Sequence, residues 1–245
     1  MLYYVCGGWK MYKKLFVIEG LDGCGKSTQM GLIKKCLDSN ENKHFTYRML
    51  EFPNKSFDNP MKKMIYDIYL QGKINTESNT KADVYGASLL YTIDRYVSYY
   101  QDWKKATEEC DIIISGRYTQ SNILYQGCKL GSPNDEEFRK YVRWLYNLEY
   151  TILGLPKPDK VFFLDAPIDV LNQNLRKRYG DNSKLFDILE SSASLEIERR
   201  RQTALWFCEH SKAWKYIKIV NNDNNMRSAE AIAHDLIVNI NESLL

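Results

Sequence analysis

Apolar positions along the chain keep two rhythms that take turns. Short unbroken or alternating runs have the length and residue types of strands: Leu15 to Ile18, Phe45 to Leu50, Asp111 to Ser115, Val161 to Leu164 and Tyr216 to Val220. Between them apolar residues recur every three or four positions, as on one face of a helix. Met30, Ile33, Cys36 and Leu37 form one such series, and Met61, Met64, Ile65, Ile68 and Tyr69 another, ended by Gly72. Further helices are predicted from about Asp83 to Lys105, after Tyr118, through Phe138, Val142 and Leu145, through Val170, Leu171 and Leu175, through Leu195, Ile197, Ala204 and Phe207, and through Ile232, Leu236 and Ile240. Ser132-Pro133-Asn134-Asp135 reads as a capped helix start with proline in the first turn. Strands alternating with helices predict an α/β fold, a parallel sheet of about five strands covered on both faces.

That order places chemistry at one edge. Gly20, the Glu51-Phe52-Pro53 segment, Gly116-Arg117 and Asp165 each follow a predicted strand directly. In open parallel sheets the ligand sits beyond the carboxyl ends of the strands, so these four segments are expected to share one crevice.

The first of them is the most informative. Gly20-Leu21-Asp22-Gly23-Cys24-Gly25-Lys26-Ser27 fits the phosphate-loop pattern G-x-x-x-x-G-K-[ST], and it stands between a strand and a helix as that pattern requires. Gly20, Gly23 and Gly25 let backbone N–H groups curl around phosphate oxygens, and the helix that follows offers its positive end. Lys26 adds a charge among the outer phosphates, the Ser27 hydroxyl can complete the shell of a magnesium ion, and Thr28 lies beside them. These residues, with Cys24, are assigned to ATP. Cys24 could be a reactive thiol at the helix start, or simply a small residue that fits between glycines.

Composition narrows the picture without redirecting it. The 245 residues are 44% hydrophobic, enough for one substantial core, and a single domain is expected. The net charge of +3 comes from interspersed acids and bases, which points away from nucleic-acid or membrane partners. Six cysteines without metal-ligand spacing fit thiols in a reducing cytoplasm. The apolar runs are too short to span a bilayer, and the first ten residues resemble no signal peptide. They are expected to be a poorly ordered extension, with Met11 a second possible start. Residues 176–192, basic and then polar, are expected to form a mobile flap, or LID.

Outside the loop, Tyr91 and Arg95 share a face of the long helix, an aromatic and a donor that suit a flat nucleobase. Arg117 after a buried strand calls for an anion, either a phosphate or a structural carboxylate. Asp22 could cap its turn or reach a sugar hydroxyl, and Asp165 has the position of a metal-side acid or of an ordinary turn aspartate.

Taken in order, Glu19 to Gly23 with the lysine loop, Phe52-Pro53, Asp94-Arg95-Tyr96, Arg117-Tyr118-x-x-Ser121-Asn122-x-x-Tyr125-Gln126 and Leu164 to Pro167 resemble the thymidylate kinases over about Met11 to Leu245. The resemblance implies a P-loop NTPase fold, a homodimer, and transfer of the ATP γ-phosphoryl group to dTMP with Mg²⁺. It implies that Tyr91 stacks on thymine, that Arg95, Ser121 and Asn122 meet the base, that Gln126 belongs to the same acceptor site, and that Tyr125 closes the space of a ribose 2′-hydroxyl. Asp22 would meet the 3′-hydroxyl or the magnesium shell, with Ser27 and Asp165 as further metal-side groups. Phe52, Pro53 and Lys55 would line the acceptor site, and Arg117 with Arg176 or Arg178 from the flap would hold the phosphates. Two departures stand out: Lys55 replaces an arginine common after Phe-Pro, and Gly116 replaces the aspartate that usually precedes Arg-Tyr. Rival readings are a deoxynucleoside kinase, in which Glu51 would be the base, and a nucleotide-binding homologue of little activity. A GTPase would need an Asn-Lys-x-Asp segment that neither Asn42-Lys43 nor Asn54-Lys55 supplies.

Overall fold

The computed structural model describes residues 13–39, 45–54, 63–65, 81–179 and 193–244. Lys55, the N-terminal ten residues, all but three of the positions around the predicted 61–69 helix and residues 180–192 of the flap lie outside the described residues. Five strands form one parallel sheet: β1 (Lys14–Gly20), β2 (Tyr47–Glu51), β3 (Ile112–Gly116), β4 (Lys160–Asp165) and β5 (Trp214–Lys218), in the order β2-β3-β1-β4-β5. The chain winds to one side of β1 for β2 and β3 and to the other for β4 and β5, so loops diverge at the end of β1 and leave a crevice there.

Strand alternation builds two cores. Phe16, Ile18, Ile112, Ile114, Phe162 and Leu164 face one side, where they meet Ile33 and Leu37 of α1 (Lys26–Leu37) and Ile232, Leu236 and Ile240 of a C-terminal helix. Leu15, Val17, Ile113, Val161 and Phe163 face the other, against Trp103, Tyr118, Phe138, Tyr141 and Phe207. Both faces are covered, so the central strands read as continuous apolar runs rather than alternating ones.

The remaining helices follow the predicted order. They are α2 (Lys81–Ser98), α3 (Ala106–Glu109), α4 (Thr119–Tyr125), α5 (Glu136–Tyr146), α6 (Ile168–Tyr179), α7 (Ala193–His210) and α8 (Ala229–Leu244). Two of them continue into wider π-helical turns, α2 through Tyr99–Trp103 and α5 through Asn147–Ile152. The predicted cap of α5 is shifted. Asp135 is the N-cap residue, and its carboxylate turns back to accept from the Ser132 N–H and hydroxyl at 2.7 and 2.9 Å instead of capping the helix. Strand ends moved by one to two residues, because ladder hydrogen bonds rather than apolar content set them.

The register fixes where the loops leave. Glu51, Gly116, Ile18, Phe162 and Lys215 lie on one rung across all five strands. β2 and β3 end on that rung, whereas β1 runs two residues further to Gly20 and β4 three further to Asp165.

Candidate active site

Beyond those strand ends lies a cavity of about 1020 Å³. The phosphate loop forms its floor. Gly23 (φ 87°) could not carry a side chain, since a Cβ there would stand 2.5 Å from the Leu171 carbonyl oxygen. Asn174 of α6, itself on the cavity lining, holds the loop by donating to the Gly23 carbonyl at 2.9 Å. Gly25, left-handed at φ 85°, begins α1 without a side-chain cap, and the first turn of that helix carries no acid. Its N–H groups are thus left for an anion. The Lys26 ammonium donates to the carbonyls of Gly20 and Leu21 at 2.7 and 2.9 Å, while Ser27 and Thr28 are exposed on the cavity side. Cys24 is 1% exposed, with its sulfur 3.6 Å from Lys26 Nζ. The structure thus favours the small-residue reading over a reactive surface thiol.

A charged cluster stands over the loop. Arg117 follows β3 at φ 66°, a left-handed conformation unusual for a residue with a long side chain. Its backbone is tied down, N–H to the Ile18 carbonyl at 3.1 Å and C=O to the Ser115 hydroxyl at 2.6 Å. The guanidinium pairs with Asp22 at 2.5 Å. Enclosure in the cavity alone would raise the Asp22 carboxyl, but Arg117 and then Lys26 outweigh it and hold the group below its ordinary value. The Tyr125 ring lies between two guanidiniums, Arg117 at 5.1 Å and Arg200 at 4.6 Å, and its hydroxyl reaches Asp22 at 3.4 Å. Burial pushes the Tyr125 phenol well up, so it is a neutral donor.

On the α2 side, Tyr91, Arg95, Phe52, Pro53, Ser121, Asn122 and Gln126 line the same cavity. Arg95 is 2% exposed and pairs with Glu149 through Nε at 2.9 Å and through Nη2. Asn122 donates its amide to the Ser88 carbonyl at 3.1 Å. Ser121 does not offer its hydroxyl hydrogen to the cavity. It donates to Glu19 at 2.6 Å, and Glu19 also accepts the Tyr118 N–H, so this buried acid fastens the Arg117 turn to β1. Asp94, next to Arg95, accepts the Asn54 N–H at 3.0 Å and so anchors the Phe52-Pro53 segment to α2.

Three expected site residues fall elsewhere. Gly20 contributes its carbonyl to Lys26 but does not line the cavity. Arg178 lines it and Arg176, two positions away on α6, does not. Asp165 does not line the cavity, and Arg201 grips both of its carboxylate oxygens at 2.7 and 2.8 Å, an arrangement that favours the structural ion pair over the metal-side position. The sequence reading missed Arg200, Gln29 and the residues Met226, Arg227, Ala229 and Ile232, all of which line the cavity. Arg200 is the middle of an Arg199–Arg201 run whose helical spacing sends only one member inward. The stretch before α8 follows β5, and the rule of strand carboxyl ends would have found it. Gly116 stands opposite Glu51, and a Cβ there would meet only Met30 and Glu51 side-chain carbons at 3.6 to 3.8 Å.

Comparison with known proteins agrees with this geometry. The chain is 31% identical over 163 residues to a probable thymidylate kinase of Pyrobaculum aerophilum, covering 66% of this chain and 70% of that one. It is 27% identical over 230 residues to the probable thymidylate kinase of Thermococcus kodakarensis, covering 94% and 97% respectively. Among solved structures, the thymidylate kinase from Candida albicans shares the fold with a TM-score of 0.63 at 22% identity, over 96% of this chain and 94% of that one. A family model described as thymidylate kinase matches residues 18–208, and this chain belongs to the thymidylate kinase family.

Proposed function

We propose that the protein transfers the γ-phosphoryl group of ATP to dTMP, giving dTDP and ADP. The observation that carries this reading is the Asp22–Arg117–Tyr125 cluster. It stands in one cavity between a phosphate loop and a pocket of nucleobase-like lining. ATP would lie with its phosphates on the N–H groups of the loop and α1, with Lys26, Arg178 and Arg200 around them. The acceptor would lie over Tyr91, its base facing Arg95 and Asn122 and its phosphate facing Arg117. One of the two Asn122 amide hydrogens is committed to Ser88; its Oδ1 suits a ring N–H, and Arg95 suits a carbonyl oxygen. Tyr125 would occupy the space of a 2′-hydroxyl, and Asp22 would accept from the 3′-hydroxyl.

An acceptor phosphate is already ionised, so no base has to take a proton from it. What the reaction needs is alignment and neutralisation of charge on the transferring group. Lys26, Arg117, Arg178 and Arg200, all on the cavity lining, suit that need. Gly116 therefore removes no essential proton acceptor. Glu51 lines the cavity and would serve a nucleoside kinase, but family membership does not favour that reading or a non-enzymatic one.

The donor set also fits magnesium. Ser27 and the half-exposed Asp22 are hard oxygen ligands on the same cavity, and among the described residues no three His, Cys, Asp or Glu converge. Ser27 would hold the ion and Asp22 its water shell; the ion, when bound, neutralises phosphate charge. A homodimer is supported by an apolar stripe on α2, where Leu89, Ile93, Tyr96 and Tyr100 are each about two-fifths exposed at helical spacing. A cytoplasmic setting is supported by five described cysteines of which none forms a disulfide. No helix among the described residues is long and apolar enough to cross a membrane.

The test is ADP release with ATP, Mg²⁺ and a panel of dTMP, dUMP, UMP and thymidine. The expected order is dTMP over dUMP, both far over UMP and thymidine. Lys26→Ala should reduce the dTMP rate by orders of magnitude. Thymidine turning over as fast as dTMP, or Lys26→Ala matching wild type, would overturn the reading.

A further inference from the structure

Glu149 is fully buried, does not line the cavity, and sits on the π-helical turn Asn147–Ile152 that continues α5. Such a turn inserts one residue more than an α-helix would, and it rotates side chains off the helical register, often at functional positions. Here it turns a carboxylate into the protein interior between α2 and α4. Both oxygens are saturated by donors from those two helices. Oε1 accepts from the Thr92 hydroxyl at 2.7 Å and from Arg95 Nη2, and Oε2 accepts from Arg95 Nε at 2.9 Å and from the Thr119 hydroxyl at 2.5 Å. A buried acid with four donors is more than is needed to neutralise one guanidinium, and its bidentate grip permits only one orientation of the guanidinium plane.

The consequence lies on the other edge of that plane. Two of the five N–H groups of Arg95 are held by Glu149, Nη2 also reaches the Thr92 hydroxyl oxygen at 3.5 Å, and the residue lines the cavity beside Tyr91 and Asn122. A guanidinium has no acceptor, so an edge fixed in this way presents donors only. From this arrangement we infer that Glu149 is the positioning residue for acceptor-base recognition. It acts through Arg95 to hold a rigid donor edge that takes a pyrimidine with a 4-oxo group and rejects one with a 4-amino group. The inference rests on the proposed acceptor site and adds to it a residue and its route of action through Arg95. Thr92 and Thr119 share the task, since each hydroxyl closes one oxygen that would otherwise let the carboxylate slide along the guanidinium.

Glu149→Gln keeps the side-chain shape, removes the charge, and puts an NH₂ where Arg95 or a threonine now donates. Calorimetry with dTMP, dCMP and deoxyribose 5-phosphate separates a base effect from a general one. The variant should bind dTMP about 10- to 100-fold more weakly, the range expected on losing a hydrogen bond to a charged group. Its affinity for deoxyribose 5-phosphate and for ATP should be unchanged, and the preference for dTMP over dCMP should shrink. In turnover the change should fall on the KM for dTMP more than on kcat. Thr119→Val removes one donor without burying an unpaired charge, so it serves even if Glu149→Gln folds poorly; it should give a smaller loss with the same dependence on the base. In an Arg95→Met background the Thr119→Val change should cost no further dTMP affinity. Equal loss for dTMP and deoxyribose 5-phosphate, or full additivity of the two substitutions, would overturn the inference and leave the kinase reading intact. Wild type binding dTMP no better than deoxyribose 5-phosphate would overturn both.

Discussion

Replacing either member of the Asp165–Arg201 pair should destabilise the protein unequally, and the inequality can be worked from exposure. The Asp165 side chain is 3% exposed and that of Arg201 22%. Arg201→Met would leave a carboxylate that water cannot reach, with only the Tyr216 hydroxyl at 3.3 Å, among the described residues, to offset its burial. Stranding one partner of a buried pair costs about 3–5 kcal/mol, and the tyrosine should bring this case to the lower end. Asp165→Ala would instead strand a cation that can turn to solvent or to Glu198, now 3.9 Å away, for a cost of about 2 kcal/mol. The double variant should cost less than the two single changes added, because removing both partners leaves no uncompensated charge. Equilibrium urea unfolding of the four proteins measures all three quantities. The magnesium concentration required for half-maximal activity should be the same in Asp165→Ala as in wild type. Asp165→Ala costing more than Arg201→Met, or a tenfold rise in the magnesium requirement, would refute the structural role and restore the metal-side one.

Three further outcomes are expected. Tyr91→Ala should weaken dTMP binding by about 1–3 kcal/mol through lost stacking, with ATP affinity unchanged, as calorimetry would show. Burial, opposed by the Asn54 N–H and Arg95, holds the Asp94 carboxyl above its ordinary value, so the folded protein binds that proton more tightly than the unfolded chain. Stability is therefore lost as pH rises from about 4 through the folded value, and Asp94→Asn should gain on wild type over that range. Melting temperatures of the two proteins that differ by a constant amount at all pH values would contradict this. Cys24, enclosed under the loop, should react with iodoacetamide no faster in the native protein than global unfolding permits; rapid modification that ATP suppresses would revive the reactive-thiol reading.

The fold and much of the site were legible because they depend on local pattern. Leu15 to Ile18 before Gly20, and Ile112 to Ile114 before Arg117, announce buried parallel strands, and the glycines with Lys26 announce a phosphate loop without reference to anything distant. What stayed hidden depends on partners far along the chain. Glu149 carries no signal in its own neighbourhood, since its meaning comes from Arg95, 54 positions earlier. Asp165 stayed open between two readings for the same reason: a strand-end aspartate looks alike whether a metal or Arg201, 36 positions on, will meet it. Ser121 followed the pattern of a base-reading residue, and only the structure reveals that its hydroxyl is committed to Glu19.

The shared rung through Glu51, Gly116, Ile18 and Phe162 bears on how this protein can change over generations. Substituting a strand residue alters one side chain, but inserting or deleting one shifts everything after it by about 3.3 Å and flips it to the opposite face. A deletion in β3 would draw Arg117 back by that distance, away from Asp22, and would invert the Ile112 to Ile114 face pattern at the same time. Length variation should therefore be confined to connections such as residues 221–228, while β1, β2 and β3 can drift in composition but not in residue count.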